Sequence, residues 1–531
     1  MKNFKILPAS AAALLLLLAS CVQKEYTDWN KPWSASDQGF SHEEIILGEQ
    51  LQDPYSVENM TKALERVHPA GAGRVSIQPT DFYVRFLPKD DAQLQQLTDL
   101  GLELLDHPLD HRIVREGDWY HDPSVPDGDI TWQYGVVPVE FEFPHDIRYE
   151  RLDDCYLPEN DPSTRADGID WEEVEREAYR LTGNLLAETR DGSGTTGGTP
   201  QGRISILDPD SGEGSIGVKG VKVSCNSFVK FATCYTDENG NYRMSRSFAS
   251  DVRYRLVFQN VKGFSQGVNL VLVPASVSTF GTQPSTGFSA QIDANSERKL
   301  FMRCVVNNTG YDYVEASKKS FGAIPAPPKD FRLWTFEALD CELPTMIHHG
   351  VLINTFEMLD DMPSVYASLI KLVQPDVLVG FEGCMSYSEI YAKALHVFAH
   401  GGHFSQVGKE WWWNYLKFAA GALVASTLTS TYGSFGDGYY EWGAVAEAYA
   451  FYCQSVLYRR RYEGSQELFG SSEWFSPQIL MYLDDRGLGL EKLAPLFTED
   501  VSCMEALHEK LLSYYPPFKS IINEAYARYE Q

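Results

Sequence analysis

The sequence is poor in positive charge and lacks the common nucleotide-binding and serine-hydrolase motifs. Its 531 residues contain 45 lysines and arginines against 73 aspartates and glutamates, which gives a formal net charge of -28. Binding nucleic acid through charge requires a basic surface that releases counterions, so we expect no nucleic-acid partner. The chain contains no P-loop, dinucleotide-binding fingerprint or GxSxG elbow. No nucleotide-binding or serine-hydrolase function is therefore indicated by motif.

Cysteine pairs and long apolar runs are also missing. The nine cysteines form no CxxC pair, which argues against a cysteine zinc site. Cys225 and Cys234 are spaced to meet across a hairpin, and the spacing fits either a disulfide or two free thiols. Beyond the N-terminal segment, no apolar run reaches the length that spans a bilayer.

The N-terminal segment has the pattern of a lipoprotein signal peptide. Lys2 and Lys5 precede an apolar run that ends in LASC at residues 18–21 and is too short to span a bilayer. LASC resembles a bacterial lipobox, which implies cleavage before Cys21, acylation of that cysteine with palmitate and a lipid anchor in the membrane. An ordinary secretory signal is the alternative. Residues 23–28 resemble the tag of surface-exposed Bacteroidetes lipoproteins, which implies the outer membrane.

Changes in composition along the chain predict a multidomain α+β protein. The expected division is a signal peptide at 1–20, a tether at 21–40, a small α/β domain at 41–189, a Gly/Ser/Thr linker at 190–201, a β-sandwich at 202–275 and a mainly helical domain with a small sheet at 298–531.

The N-terminal domain reads as a strand-helix-strand unit. Residues 82–87 alternate as a strand, 90–100 form a polar helical stretch, and Leu102 to Leu105 read as a second strand. The segment resembles the ferredoxin-like α/β module that occurs as a propeptide or N-terminal piece in secreted peptidases.

The middle of the chain contains short alternating segments at close spacing, which is typical of a β-sandwich. Residues 220–223 read Gly-Val-Lys-Val, and residues 236–242 read Thr-Asp-Glu-Asn-Gly-Asn-Tyr. These two motifs resemble the transthyretin-like regulatory domain of carboxypeptidases. The resemblance implies a spacer or docking module rather than chemistry.

The stretch HVFAHGGHF contains the candidate metal ligands. Residues 386–389 form a capping box, which predicts a helix that carries His396 and His400 one turn apart on one face. Two imidazoles so placed can bind one ion. We expect Gly401 and Gly402 to end the helix. On an unbroken helix His403 would lie about 10 Å along the axis from His396, so its role stays open.

Glu447 is the candidate third ligand. It lies in the apolar helical stretch GAVAEAYAFYC without a neighbouring lysine or arginine. A carboxylate that points into an apolar core needs a compensating charge, which a metal ion supplies. In the alternative reading, the helix is turned so that Glu447 reaches solvent or a distant arginine. The apolar strand at residues 376–380 precedes the histidine helix, as the substrate-binding edge strand does in zincins.

Residues 375–414 and 436–452 together resemble the zinc metallohydrolase lipoproteins of Bacteroidetes, which carry a zincin HExxH helix. The resemblance implies that His396, His400 and Glu447 bind one zinc ion. It further implies that the protein functions together with TonB-dependent nutrient importers and recognises a peptide or glycoprotein. The resemblance assigns His396, His400 and Glu447 as metal ligands and not as catalytic residues. It implies no cofactor other than zinc.

The sequence departs from the HExxH pattern at the catalytic position. In HExxH hydrolases the glutamate moves the proton of the attacking water, which contributes about 10² to 10⁴ in rate. Val397 occupies that position and cannot do so. We therefore predict no catalytic residue at this position, unless another carboxylate replaces the base. Glu382, Glu410 and Glu441 are near in sequence and are the candidates for that role.

Two other motifs have functional readings that we consider secondary. Trp411-Trp412-Trp413 suits sugar stacking, but three consecutive residues cannot share one helical face. His348 and His349 would face opposite ways on a strand, so at most one can point at a given site.

Three hypotheses follow from the sequence. The first is a surface lipoprotein whose zincin-like domain keeps zinc but lacks peptidase activity, and which acts as a binding or scaffold component of nutrient acquisition. The second is an active zinc metallopeptidase that uses another carboxylate as its base. The third is a metal-free adhesion or docking lipoprotein in which the sandwich binds the partner.

Overall fold

The computed structural model describes residues 44–69, 75–117, 119–126, 129–165, 168–185, 197–267, 277–337, 341–351, 374–429, 440–462 and 477–529, without the side chains of residues 91 and 419–429. The signal peptide, Cys21, the tether and residues 190–196 of the predicted linker lie outside this part. Within it the protein mixes α-helices with β-sheets. None of the helices found there is long and apolar enough to cross a membrane.

The N-terminal part builds helices against small antiparallel sheets. Its elements are β1 (Ile46–Gln50), α1 (Val57–Val67), β2 (Asp81–Leu87), α2 (Asp91–Asp99), β3 (His111–Arg115), β4 (Gln133–Pro138), β5 (Arg148–Cys155) and α3 (Trp171–Leu181). β2 lies between β4 and β5, and β1 pairs with β3. Ser56, Asp90 and Asp170 cap the three helices by accepting a hydrogen bond from the backbone three residues later. Met60 of α1 and Val174 of α3 share one apolar core with β2.

The predicted strand at Leu102 to Leu105 is wrong, whereas the strand and helix before it are confirmed. Only Leu105 exchanges backbone hydrogen bonds with a strand, through Tyr134. Glu103 instead forms an ion pair with Lys222 of the sandwich. The remaining residues make no ladder hydrogen bonds, and a segment without them is not a strand.

The middle of the chain is two facing sheets. Their strands are β6 (Gln201–Asp208), β7 (Gly214–Gly217), β8 (Val221–Ser227), β9 (Lys230–Tyr235), β10 (Asn241–Arg243), β11 (Val252–Asn260), β12 (Phe264–Gln266), β13 (Val277–Gln283) and β14 (Ala290–Ile292). One sheet has the order β10-β6-β14 with β7 beside β6, and β8, β9, β11, β12 and β13 belong to the other. Ile204 and Ile206 of the first sheet and Val223 and Leu256 of the second lie in one apolar core. The alternation of apolar and polar residues in the sequence thus marks the strand faces that point into the core between the sheets.

The larger sheet continues past the predicted boundary between sandwich and helical domain. β15 (Phe331–Phe336), β16 (Glu342–Pro344) and β17 (Val377–Gly380) complete the order β16-β17-β15-β12-β11-β8-β9, with β13 beside β11. The small sheet expected for the helical domain is therefore one end of this larger sheet. The sheet continues because β12 offers an edge on which β15, which is distant in sequence, pairs in parallel. The domain boundaries themselves stay predictions.

The C-terminal part is mainly helical. Its helices are α4 (Arg298–Lys319), α5 (Tyr387–Thr429), α6 (Tyr440–Arg461), α7 (Gln478–Asp484), α8 (Leu490–Leu493), α9 (Met504–Tyr514) and α10 (Lys519–Tyr529). The predicted capping box is confirmed. Ser386 Oγ accepts from the Glu389 backbone N–H, and Glu389 Oε2 accepts from the Ser386 backbone N–H at 2.9 Å. α5 therefore begins where the sequence predicts.

The predicted end of this helix at Gly401 and Gly402 is wrong. Both glycines are helical, and the break falls at Gly408, with φ 77° and ψ 175°. A Cβ on Gly401 would meet the Phe331 ring at 2.8 Å, and a Cβ on Gly402 would meet the Tyr313 hydroxyl at 2.6 Å. The two glycines thus allow α5 to pack closely against β15 and α4, which is a different use of glycine from ending a helix.

A buried ion pair joins the N-terminal part to the sandwich. Lys230 of β9 lies 2.8 Å from Glu175 of α3, and both side chains are almost fully buried. Tyr55 also donates to Glu175. The pairing of opposite charges is what permits their burial between two apolar cores.

Cys225 and Cys234 are both free. In the β8–β9 ladder Cys225 faces Ala232 and Cys234 faces Val223, so the two cysteines are not directly opposite each other. The spacing of the two cysteines fits either a disulfide or two free thiols, and in the structure they are free thiols.

Candidate metal centre

His396, His400 and Glu447 come together between α5 and α6. His400 Nε2 lies 3.0 Å from His396 Nε2, and Glu447 Oε2 lies 3.2 Å from His396 Nε2 and 3.6 Å from His400 Nε2. One donor atom from each residue lies within 4.8 Å of the other two. The three ligands predicted from the sequence are thus brought to one point.

The two helices position these groups by simple periodicity. His396 and His400 are one turn apart on α5, so their rings share a face, with centroids 4.6 Å apart and planes at 84°. α6 packs alongside α5, and the residues around Glu447 on α6 are apolar and buried. The Glu447 carboxylate therefore points toward α5 rather than to solvent. Phe451 and Trp412 cover the imidazoles at 4.4 Å and 5.9 Å between ring centroids.

Tyr415 orients Glu447. Its hydroxyl donates to Glu447 Oε1 at 2.7 Å, which leaves Oε2 directed at the histidines. The Tyr415 ring also lies against the His400 ring, at 5.6 Å between centroids. Outer hydrogen bonds of this kind fix a ligating carboxylate in metal sites. Tyr415 was not identified from the sequence, because only the kinked course of α5 returns it to the site.

The ionisable groups of the site shift one another's pKa. Burial acts to raise the pKa of Glu447, but His400 and His396 outweigh it and hold that pKa well below its ordinary value. Burial acts to lower the pKa of His396, and Glu342 and Glu447 outweigh it, so the His396 pKa is raised. Burial lowers the pKa of His400. The carboxylate is therefore ionised, as a metal ligand must be.

Glu342 is a further carboxylate at the site that sequence reasoning missed. Its Oε2 lies 3.4 Å from His396 Nε2, and its Oε1 lies 3.7 Å from the Lys393 ammonium. Glu342 begins β16, which pairs antiparallel with β17. That pairing brings it beside the histidine helix, and no local signal in the sequence indicates it.

The three carboxylates nominated by sequence proximity are not at this site. Glu382, Glu410 and Glu441 are all exposed, whereas the histidines are buried. Val397 is fully buried in the apolar core. The base position therefore holds a side chain that cannot move a proton.

His403 does not join the ligand cluster. It is fully buried and stacks on Tyr449 at 4.8 Å between ring centroids. Burial lowers its pKa to about 3, which keeps the ring neutral. Within the described residues, neither of its ring nitrogens has a hydrogen-bond partner. We assign it to aromatic packing between α5 and α6.

The tryptophans and the paired histidines have structural contacts. Trp411 Nε1 donates to Val501 O, and Trp412 Nε1 donates to Pro344 O, so these two rings are buried and unable to stack on a sugar. His349 contacts Asp376 Oδ1 at 2.9 Å through Nδ1 and Lys329 O at 2.9 Å through Nε2. Its ring thus ties two loops together.

The donor set fits one divalent transition metal. Two imidazole nitrogens and one carboxylate oxygen are the ligands of catalytic zinc in a common class of hydrolases, and they leave a fourth position open. His396 and His400 supply Nε2, and Glu447 supplies Oε2. Comparison of the chain with models of protein families, with curated proteins and with solved structures finds no match.

Proposed function

We propose that this protein binds one zinc ion through His396, His400 and Glu447 in a zincin-like domain. The observation that carries the proposal is the convergence of one donor atom from each residue within 4.8 Å, with both histidines buried. A buried cluster of this kind is costly to maintain unless its charges are compensated, and a metal ion compensates the carboxylate.

The function that best fits this site is binding or scaffolding rather than peptide hydrolysis. When bound, zinc acts as a Lewis acid and lowers the pKa of water that it holds. Hydrolysis by the HExxH route also needs a carboxylate at the position of Val397, which is apolar. We propose a lipoprotein anchored through Cys21 at the outer membrane and exposed at the cell surface. A TonB-dependent receptor system and a peptide or glycoprotein ligand are its proposed partners.

Thermal unfolding tests the zinc proposal. Protein stripped with a chelator should gain stability when zinc is added, by about 2.7 kcal/mol at a free zinc concentration of 100 times Kd. His400→Ala should lose this gain, while His145→Ala, which removes an exposed histidine, should retain it. An equal response in all three proteins would mean that zinc binds elsewhere, and no response in any would favour the metal-free docking protein.

Glu342 supports a second candidate function, an active zinc hydrolase. Its Oε2, 3.4 Å from His396 Nε2, is at the site and is able to accept a proton in place of the missing base. The test is hydrolysis of a fluorogenic peptide library by the zinc-loaded protein. Loss of activity in Glu342→Gln, with zinc content unchanged, supports this function, and absence of activity in the parent protein excludes it for those peptides.

A further inference from the structure

A cavity of about 210 Å³ lies between the N-terminal part and the outer face of the larger sheet. On the sheet side it is lined by Lys222 and Ser224 of β8, by Arg253, Arg255 and Val257 of β11, and by Thr279 of β13. Residues 101–107 and α2 close it from the other side. Alternate residues of a strand share a face, so these strand residues lie on the outer face of the sheet. They would be exposed to solvent if the N-terminal part did not cover them.

Arg255 is almost fully buried in this cavity. The residue is 3 % exposed, and its Nη2 donates to Asn226 Oδ1 at 2.5 Å. Its Nη1 is buried and has no hydrogen-bond partner within the described residues. Glu116 and Asp106 favour its charge electrostatically, but among the described residues no carboxylate oxygen lies within 4.0 Å in an ion pair with it. A buried guanidinium with an unmet N–H is costly unless an anion occupies the space before it.

Arg253 adds a second donor from the same face of β11. Its guanidinium pairs with Glu116, and its Nε is buried and unpartnered among the described residues. Burial, together with the positive charge of Arg253, lowers the pKa of Arg255 to about 9. Both side chains therefore present a buried N–H group that no described residue accepts from, and Arg255 also lacks an ion-pair partner of its own.

The other charged groups of the cavity form no hydrogen bond with these two N–H groups. Lys222 is paired with Glu103, and Asp106 Oδ2 accepts from the Tyr120 backbone N–H at 2.7 Å. Burial raises the pKa of Asp106 to about 7, so near neutral pH this carboxyl is only partly ionised. Burial lowers the pKa of His107 to about 3, so that ring is neutral.

Much of the remaining wall is apolar. Leu94, Leu104, Leu105, Val257 and Val277 line the cavity beside the arginines. An apolar cavity of about 150 Å³ admits benzene, so this space accommodates a small organic molecule. Clefts that combine apolar walls with few directed polar groups are the usual form of a ligand site, and they occur often between domains.

We propose that this cavity binds a small organic carboxylate, whose oxygens accept from Arg255 Nη1 and Arg253 Nε while its hydrocarbon part packs on the leucine and valine wall. Arginine presents several N–H groups in one plane, which suits a carboxylate. The site is separate from the zinc centre and does not depend on it.

Thermal unfolding of the folded protein with butyrate tests the proposal, with butyramide as the uncharged probe of matching shape. Butyrate should raise Tm in a saturable way, and butyramide should not. Arg255→Met should abolish the butyrate response, whereas Arg243→Met, at an exposed arginine of the smaller sheet, should retain it. Ser224→Leu, which fills the cavity and keeps both arginines, should also abolish it.

Three results would overturn the proposal. The first is the absence of a butyrate response in the parent protein. The second is an unchanged response in both Arg255→Met and Ser224→Leu. The third is a response to inorganic phosphate alone, which would assign the arginines to a different anion.

Discussion

Glu447 Oε2 lies 3.2 Å from His396 Nε2, so a carboxylate from one apolar helix meets an imidazole from another inside the protein core. The contact belongs to a cluster that also includes His400 and that Tyr415 holds in orientation. A polar contact in such a setting contributes little net stability by itself, because both partners lose their hydration. In our proposal, one metal ion bound by all members of the cluster accounts for this contact.

Val397→Glu should restore the proton acceptor that the HExxH pattern lacks. In the zinc-loaded protein, we expect peptide hydrolysis to rise by about 10² to 10⁴, which is the usual contribution of general acid-base catalysis. The measurement is cleavage of a fluorogenic peptide library. Val397→Gln is the matched control, because glutamine has the size and polarity of glutamate but no basic carboxylate, and it should give no gain. A gain of equal size in both variants would contradict the assignment.

Tyr415→Phe should weaken zinc binding without removing a ligand. Loss of the hydrogen bond to Glu447 Oε1 frees the carboxylate to rotate, and such outer partners contribute about 10- to 100-fold in metal affinity. Competition with a chelating dye of known affinity measures the change. Tyr452→Phe is the control, since its hydroxyl donates to Asp484 away from the site. An affinity unchanged in Tyr415→Phe would show that Glu447 needs no such support.

Gly402→Ala should destabilise the protein although alanine is the better helix former. The new Cβ would meet the Tyr313 hydroxyl at 2.6 Å and also the Pro325 carbonyl, and overpacking of this kind costs about 1 to 3 kcal/mol. Ser405→Ala, at an exposed position of the same helix, should stay within about 0.5 kcal/mol of the parent. Unfolding in urea measures both. Increased stability of Gly402→Ala would refute the close packing of α5.

Lys230→Met should be strongly destabilising because it leaves Glu175 buried without its charge partner. Breaking one side of a buried ion pair costs about 3 to 5 kcal/mol. The double variant Lys230→Met with Glu175→Met should recover much of this loss, since no uncompensated charge remains. A double-variant cycle in urea measures the coupling. Strict additivity of the two single changes would mean that the pair does not join the N-terminal part to the sandwich.

The sequence predicts the parts of this protein that depend on short-range patterns. The capping box at Ser386 and Glu389 locates the start of α5, and the period of the helix places His396 and His400 on one face. The apolar surroundings of Glu447 predict that it points inward. These features are local because neighbours within one turn decide them.

The features that the sequence does not predict depend on contacts between distant segments. Glu342 reaches the histidines only because β16 pairs with β17, and strand pairing of this kind has no local signal. Gly401 and Gly402 look like a helix end, and only the proximity of Phe331 and Tyr313 explains why they lie within the helix. For the same reason, the joining of β12 to β15 across a predicted boundary appears only in the folded chain.

The zinc content of the folded protein is the measurement that tests the central claim most directly. Elemental mass spectrometry of the purified protein should find about one zinc ion per chain, and both His396→Ala and Glu447→Ala should reduce this to background while His145→Ala does not. Such a result would establish the three residues as ligands of one ion. Absence of zinc from the parent protein after incubation with the metal, or full zinc content in both ligand variants, would contradict the account.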